Sequence, residues 1–334
     1  MWPVSLLLRI WVPLRGVSSA RVSEAPTRAG NPPPLRSRSP PQRSSEYDVE
    51  TIVTDNQDHH YVPQFLLRGW CDKNGKLTVY SRRKGRAVTS QLSPRSTGFE
   101  PNLYTFEQVP PEKRNAIEKD FMSRIDAAAA LIVQKILHGG FANLTVEERS
   151  DFTRFLLSLR ARHPDAIALA KVKGREDLTA ALDRDPEEYA AAKGPSSAAT
   201  LAEWTLQNAP SLIPNFGVSL VPRVIADDKT GTRVFKMPWW THDVRYANAD
   251  LLLSDRPCLL EGDARAGECV ILLPLSSTML FFACNRERRT QVLRSMPVTR
   301  LVKTVNRASV VYAANRVYGT ATHHLPLVEK YLAT

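Results

Sequence analysis

Ile132-Val133-Gln134-Lys135-Ile136-Leu137-His138-Gly139-Gly140-Phe141-Ala142-Asn143-Leu144-Thr145-Val146-Glu147-Glu148 holds a helix stop and a helix start a few residues apart. Upstream, Ile117, Phe121, Ile125, Ile132 and Ile136 recur at helical spacing and predict a helix from about Glu112 to His138, ended by Gly139-Gly140. Glu118 lies one residue off that apolar stripe, where a solvated or boundary carboxylate is expected. Downstream, Thr145-Val146-Glu147-Glu148 reads as a capping box: the threonine hydroxyl and the glutamate carboxylate satisfy the first orphan amides. Phe152, Phe155, Leu156 and Leu159 continue that helix to Arg162-His163, where Pro164 should stop it. Two helices so punctuated predict a hairpin.

Strand signals lie on both sides of the hairpin. Leu77–Ser81 alternates after the turn Asp72-Lys73-Asn74-Gly75, and Ala87–Leu92 and Leu103–Phe106 read as further short strands. Residues 165–210 are Ala-rich and charged, predicting a mobile helical insert. Beyond it, Val234–Val244, Asp250–Ser254, Cys269–Leu273 and Met279–Ala283 suggest an antiparallel set. Helices near Arg286–Ser295 and Thr299–Val317, separated by Pro297, should close the chain. The expected class is α+β. A small N-terminal sheet, a central helical hairpin with its insert, and a C-terminal antiparallel sheet closed by helices form a single domain over residues 47–334.

Residues 1–46 read differently. The first 45 carry seven arginines, no lysine and one acid, a net of +6 within a chain total of +11. Pro, Ser and Arg dominate residues 25–45, a composition that cannot bury enough surface to fold. A disordered tail is expected, with a transit peptide, a weak secretory signal and a start-site artefact as competing origins. No apolar run approaches the ~18 residues needed to cross a bilayer. Cys71, Cys258, Cys269 and Cys284 form no C-x-x-C pair or zinc-ribbon spacing, which predicts buried free thiols in a reducing compartment. The P-loop, G-x-G-x-x-G, H-E-x-x-H and kinase signatures are absent, which sets aside P-loop nucleotide hydrolysis and zincin proteolysis.

The candidate chemistry starts at Asp58-His59-His60-Tyr61-Val62-Pro63-Gln64-Phe65-Leu66-Leu67-Arg68-Gly69-Trp70. Adjacent side chains point to opposite faces of a strand, so both imidazoles share one site only if the backbone is irregular. Arg162 ends a helix, where it either answers the macrodipole or clamps phosphate or carboxylate. Asp255 follows the apolar Leu251-Leu252-Leu253-Ser254, a place for metal or general-base work or for an Asx-type turn. Ser276 ends another apolar strand, and Asn306 shares a helical face with Val302.

The run His59 to Arg68 resembles the largely bacterial family known as domain of unknown function 4238. So do Asn102-Leu103-Tyr104, Arg162-His163-Pro164, Leu253-Ser254-Asp255-Arg256-Pro257, Pro274-Leu275-Ser276 and Asn306 through Tyr318, in order over about residues 58–318. Trp70 stands where that family more often shows phenylalanine. The resemblance implies a bacterial-type cytoplasmic protein of unassigned activity and carries over no catalytic role.

The leading functional expectation is a metal-dependent phosphodiester hydrolase, a nuclease in its narrower form, acting on nucleic acid or a phosphorylated ligand. His59, His60, Asp255 and Arg162 would be catalytic, with His60 and Asp255 as ligands of a divalent metal and Arg162 offsetting charge. Arg68, Ser254, Ser276 and Asn306 would bind substrate. Asp58 to Pro63 looks like the first motif of HNH nucleases, but after Asn74 no histidine follows until His138, so an HNH fold is not expected. The alternative is a non-enzymatic sensor or interaction module, for instance in bacterial defence, with the insert binding a protein partner. A third and weakest reading makes Arg82-Arg83-Lys84-Gly85-Arg86 a nucleic-acid contact; a solvated hairpin tip explains it better.

Overall fold

The computed structural model describes residues 57–263 and 268–332, so the tail expected over residues 1–46 lies outside the described residues. First in the chain come β1 (Asp58–His60), α1 (Gln64–Leu67), β2 (Leu77–Arg83), β3 (Arg86–Leu92), β4 (Phe99–Pro101) and α2 (Pro111–Arg114). A helical stretch follows: α3 (Ser123–Gly139), α4 (Val146–Ala161), α5 (Pro164–Leu182), α6 (Pro186–Ala192), α7 (Leu201–Asn208), α8 (Leu212–Ser219), α9 (Val221–Ile225) and α10 (Asp228–Lys236). Then come β5 (Trp239–Asp243), β6 (Leu253–Ser254), β7 (Leu259–Asp263), β8 (Glu268–Pro274) and β9 (Met279–Cys284). The last described elements are α11 (Glu287–Ser295), α12 (Val298–Tyr312), β10 (Arg316–Gly319) and α13 (Leu325–Tyr331). The class is α+β.

The hairpin forms as its punctuation dictates. Gly140 takes φ +68°, a left-handed conformation open to glycine, just past α3. The Thr145 hydroxyl accepts from the Glu148 amide at 3.2 Å, and the Glu148 carboxylate accepts from the Thr145 amide at 3.0 Å, completing the capping box. Pro164 is the first residue of α5, where its missing N–H costs nothing. One feature of the long helix has no signature in the periodicity. Ile117–Met122, just before α3, is a π-helical turn, a local widening frequent at functional sites.

The strands pair differently from their order in the chain. β2 and β3 do not stand alone as an N-terminal sheet. β2 pairs with the nearly C-terminal β10, which pairs in turn with β6, giving the order β3-β2-β10-β6. Among the described residues, β1 pairs only with β4. The second four-stranded sheet is β5-β9-β8-β7, antiparallel throughout. Three local expectations are corrected. Leu103–Phe106 is not a strand; β4 precedes it. Val234 belongs to α10, capped by Asp227, whose carboxylate accepts from the Thr230 amide at 2.9 Å. The last long helix stops at Tyr312, because Arg316–Gly319 exchanges helical bonds for ladders on two strands.

Aromatic packing joins hairpin to sheet. Phe152 of α4 meets Phe281 of β9 at 5.2 Å and Trp239 of β5 at 5.7 Å, edge to face. The Arg149 guanidinium lies 3.7 Å from the Trp239 ring centroid and donates to the carbonyls of Phe235 and Met237. The helices after the hairpin rest on a backbone-to-backbone contact between α5 and α8. A Cβ on Gly217 would fall 1.8 Å from the Ala170 carbonyl oxygen, and one on Gly174 would fall 2.2 Å from the Gly217 Cα. Only glycine allows this approach. Gly217→Ala must push the two helices apart, and the expected loss is about 2–4 kcal/mol, read as a lowered thermal midpoint by circular dichroism. An unchanged midpoint would show that the crossing is looser than this.

Candidate functional site

The sequence-distant motif blocks meet around β1. His59, fully buried, accepts the Tyr104 amide at Nδ1 (3.0 Å) and stacks on the Tyr104 ring with centroids 5.3 Å apart. Its Nε2 is buried beside Asn115 without a well-formed hydrogen bond. Burial pulls its pKa down to about 4, against a smaller upward pull from Asn115. His60 turns to the other face of the strand and packs on Phe99, and burial lowers its pKa too. The two rings therefore serve different surroundings.

Arg162 is fully buried and already clamped. Its two terminal nitrogens bind the two oxygens of Asp126 at 3.0 and 2.7 Å, and Nη2 also meets the Ser158 hydroxyl at 2.7 Å. Tyr104 donates its hydroxyl to the Arg162 carbonyl at 3.1 Å, which ties the histidine run to the hairpin. Glu118, on the π-helical turn, faces this pair. One of its oxygens, Oε2, is buried with no hydrogen-bond partner. Burial raises its pKa to about 7, opposed by Arg162 and assisted by Asp126. The carboxylate thus keeps the boundary place expected from the periodicity, half-buried, with one oxygen shut away from water.

Asp255 is buried and its carboxylate accepts three successive backbone amides. Ala314 donates to Oδ1 at 2.8 Å, and Asn315 and Arg316 donate to Oδ2 at 2.7 and 2.9 Å. These bonds use most of the carboxylate's four lone-pair sites. Tyr61 and His163 lie close enough to feel its charge, and their rings meet edge to face at 5.4 Å. Ser254 spends its hydroxyl on the Arg256 carbonyl at 2.6 Å. Asn306 bridges the backbone of the β6 approach, accepting from the Leu252 amide and donating to the Asp250 carbonyl, both at 2.8 Å. Ser276 contacts Thr278 within the β8–β9 turn, and the neighbouring Ser277 amide bonds the Gly69 carbonyl at 3.2 Å. Arg68 is exposed. The structure therefore gathers His59, Arg162 and Asp255 into adjoining buried networks, whereas Ser276 and Asn306 hold loops and Arg68 faces solvent.

A second histidine pair, His323-His324, carries no motif or spacing signal in the sequence. Among the described residues, Asp250, His323 and His324 form a group whose ligand atoms all lie within 4.8 Å of one another. Both Nε2 atoms stand 3.0 Å from the same oxygen, Oδ1 of Asp250. Thr320 donates its hydroxyl to the other oxygen, Oδ2. Burial disfavours ionisation of Asp250, but the bonds from His324 and Thr320 and the charge of His324 outweigh it and hold the pKa near 2. The pair occupies an irregular turn before α13, with ring centroids 4.0 Å apart, so neighbouring imidazoles converge where a strand would separate them. The His323 side chain is 51% exposed against 8% for His324, so the group opens to solvent on one side.

The family model described as Protein of unknown function (DUF4238) matches residues 58–323, and the chain belongs to that family. No curated protein and no solved structure matches the chain. No helix among the described residues is long and apolar enough to cross a membrane.

Glu118 and His59 oppose each other in pH. Glu118 ionises near 7 in the fold against 4.5 ordinarily, so the stability it contributes is present below 4.5 and lost as pH rises through 7. His59 titrates near 4 against 6.5, so its contribution is present above 6.5 and lost as pH falls through 4. Glu118→Gln removes the first slope. The variant should gain on the parent protein by on the order of 1–3 kcal/mol between about pH 5 and 8, followed by thermal unfolding at intervals across that range. A difference that stays constant with pH would place the Glu118 carboxylate in water.

Proposed function

We propose that this member of the DUF4238 family is a metal-dependent phosphodiester hydrolase, its ion held by Asp250, His323 and His324, with nuclease action as the narrower form. The reading is carried by two imidazole nitrogens aimed at one carboxylate oxygen from 3.0 Å. Two imidazoles and a carboxylate are a donor set for zinc and for neighbouring first-row divalent ions. Metal–ligand distances near 2.0–2.2 Å put adjacent donors about 3.3 Å apart in a tetrahedral site, so each nitrogen–oxygen gap would open by about 0.3 Å around an ion. The Thr320 hydroxyl on Oδ2 and the Asn306 amide on the Asp250 carbonyl are the supports that aim the carboxylate. A divalent ion there supplies a water of lowered pKa and a Lewis acid for a phosphoryl oxygen. The half-exposed side of His323 leaves room for that water and a substrate oxygen. The net charge of +5 over residues 46–334 suits an anionic substrate. Four free thiols, Cys71, Cys258, Cys269 and Cys284, suit a reducing cytoplasm.

The second reading, an interaction or sensor module, draws on a different observation. Arg162 and Asp255 are both spent on internal partners, as expected of motif blocks that build a scaffold.

Metal content by mass spectrometry on the full chain, purified without a histidine tag, separates the readings. One ion per chain is expected, retained in His60→Ala and lost in Asp250→Asn and in His323→Ala/His324→Ala. Loss in His60→Ala with retention in the other two would move the centre to the first histidine pair. A protein that takes up no zinc or manganese on titration would leave the interaction module.

A further inference from the structure

We infer that the solvent face of α12 is a contact surface for a nucleic-acid strand, led along Arg300, Lys303 and Arg307 toward the Asp250 centre. The surface names a substrate class for the hydrolase proposed above and rests on that reading only for what happens to the strand once bound.

Beyond the first 45 residues, the net positive charge of the chain is concentrated in one stretch. Residues 46–334 carry +5, while residues 286–307 alone hold seven Lys and Arg against one acid, Glu287, a net of +6. Without that stretch the rest of 46–334 is at −1. The basic character of the folded body therefore belongs to α11, α12 and the turns beside them. Some of these cations are committed: Arg289 pairs with Glu261 at 2.8 Å, and Arg294 lies 4.9 Å over the Trp240 ring. Arg300, Lys303 and Arg307 are exposed, and no described carboxylate pairs with them. By contrast, Arg82, in the basic hairpin tip, donates to the carbonyls of Leu332, Glu329 and Gly85 and pairs with the Glu329 carboxylate, so it serves the C-terminal helix.

Helical geometry makes a track of the three. At about 100° per residue they fall within about 60° of one another, and they span about 10 Å along the axis. That matches about three phosphates at 3.4 Å per nucleotide along one strand. α12 has no acidic residue. At its far end, Tyr331 of α13 has the Arg307 guanidinium 4.7 Å and the Lys330 ammonium 5.2 Å from its ring centroid, a ring flanked by cations as in single-strand stacking sites. The metal group lies on the adjoining shoulder of the same helix. Asn306, one residue from Arg307 and about 60° around the helix from Lys303, holds the Asp250 backbone. Besides the cations, the exposed positions of α12 are Thr299, Thr304 and Val311, with no Leu, Phe or Trp to enter a lipid interface. Nucleic acid is favoured over a membrane surface.

The test is fluorescence anisotropy with a labelled single-stranded oligonucleotide, on the full chain in EDTA, so that binding is read without hydrolysis. Three phosphate contacts on a single strand give a slope of about −2 in log K against log salt, an about 20-fold loss of affinity between 50 and 200 mM. The variant Arg300→Ser/Lys303→Ser/Arg307→Ser, checked for an unchanged melting curve, should lose most of that slope. Asp250→Asn should keep it, so a failed metal centre and a failed strand surface give different results. Equal affinity and slope in parent and triple variant would overturn the proposal. So would an absence of oligonucleotide binding, or binding confined to anionic phosphatidylserine vesicles.

Discussion

The three amides that converge on the Asp255 carboxylate are the contact on which the rest of this fold turns. They arrest the chain between α12 and β10 at Ala314, Asn315 and Arg316, and Asp255 also donates its own amide to the Arg316 carbonyl at 2.9 Å. A carboxylate holding three N–H donors is a strong anchor because each bond is charge-assisted. From that point β10 enters between β2 and β6 and joins the two halves of the chain. Five residues back along the same segment, Asp250 secures the other end of β10 through Thr320, His323 and His324. One apolar stretch, Leu251 to Ser254, thus carries an acid at each end, and the two acids bracket one strand. The inner acid is closed by backbone. The outer acid is met by side chains that can exchange a proton for a metal.

The buried pair of Arg162 and Asp126 sets the character of the other network. A guanidinium removed from water needs its donors satisfied; Asp126 and Ser158 satisfy its terminal nitrogens, while Nε stays buried without a partner. Glu118 enters the same pocket with an unpartnered oxygen, held near neutrality by desolvation. A carboxyl in this state is costly, and the π-helical turn that delivers it is a departure from regular helix that packing alone does not require.

The two histidine pairs show how the same dipeptide is read differently by its backbone. His59 and His60 sit on β1, whose alternation sends one ring under Tyr104 and the other against Phe99. His323 and His324 sit on a turn, and both rings reach Asp250. Sequence adjacency was identical; the local conformation decided whether two imidazoles could share an atom.

Local punctuation was legible in the amino-acid sequence. Gly140, the Thr145–Glu148 capping box and Pro164 determined where α3 ends, where α4 begins and ends and where α5 begins, because capping is a contest among neighbours within a few residues; the break before Ser123 into a π turn carried no such mark. Alternation likewise marked β2, short apolar runs marked β8 and β9, and the ordered motif blocks placed the chain in its family. What tertiary structure decided was pairing. Arg316-Val317 reads as the tail of a helix until Tyr80, Ser254 and the Asp255 carboxylate offer its backbone better partners. Arg162 reads as an open phosphate clamp until Asp126, 36 residues away, fills it. Asp250 and His324 lie 74 residues apart, and no spacing rule links them. Long-range contacts of this kind depend on which surfaces meet when the core closes, so the chemistry of a carboxylate or an imidazole is settled by neighbours that sequence periodicity does not name.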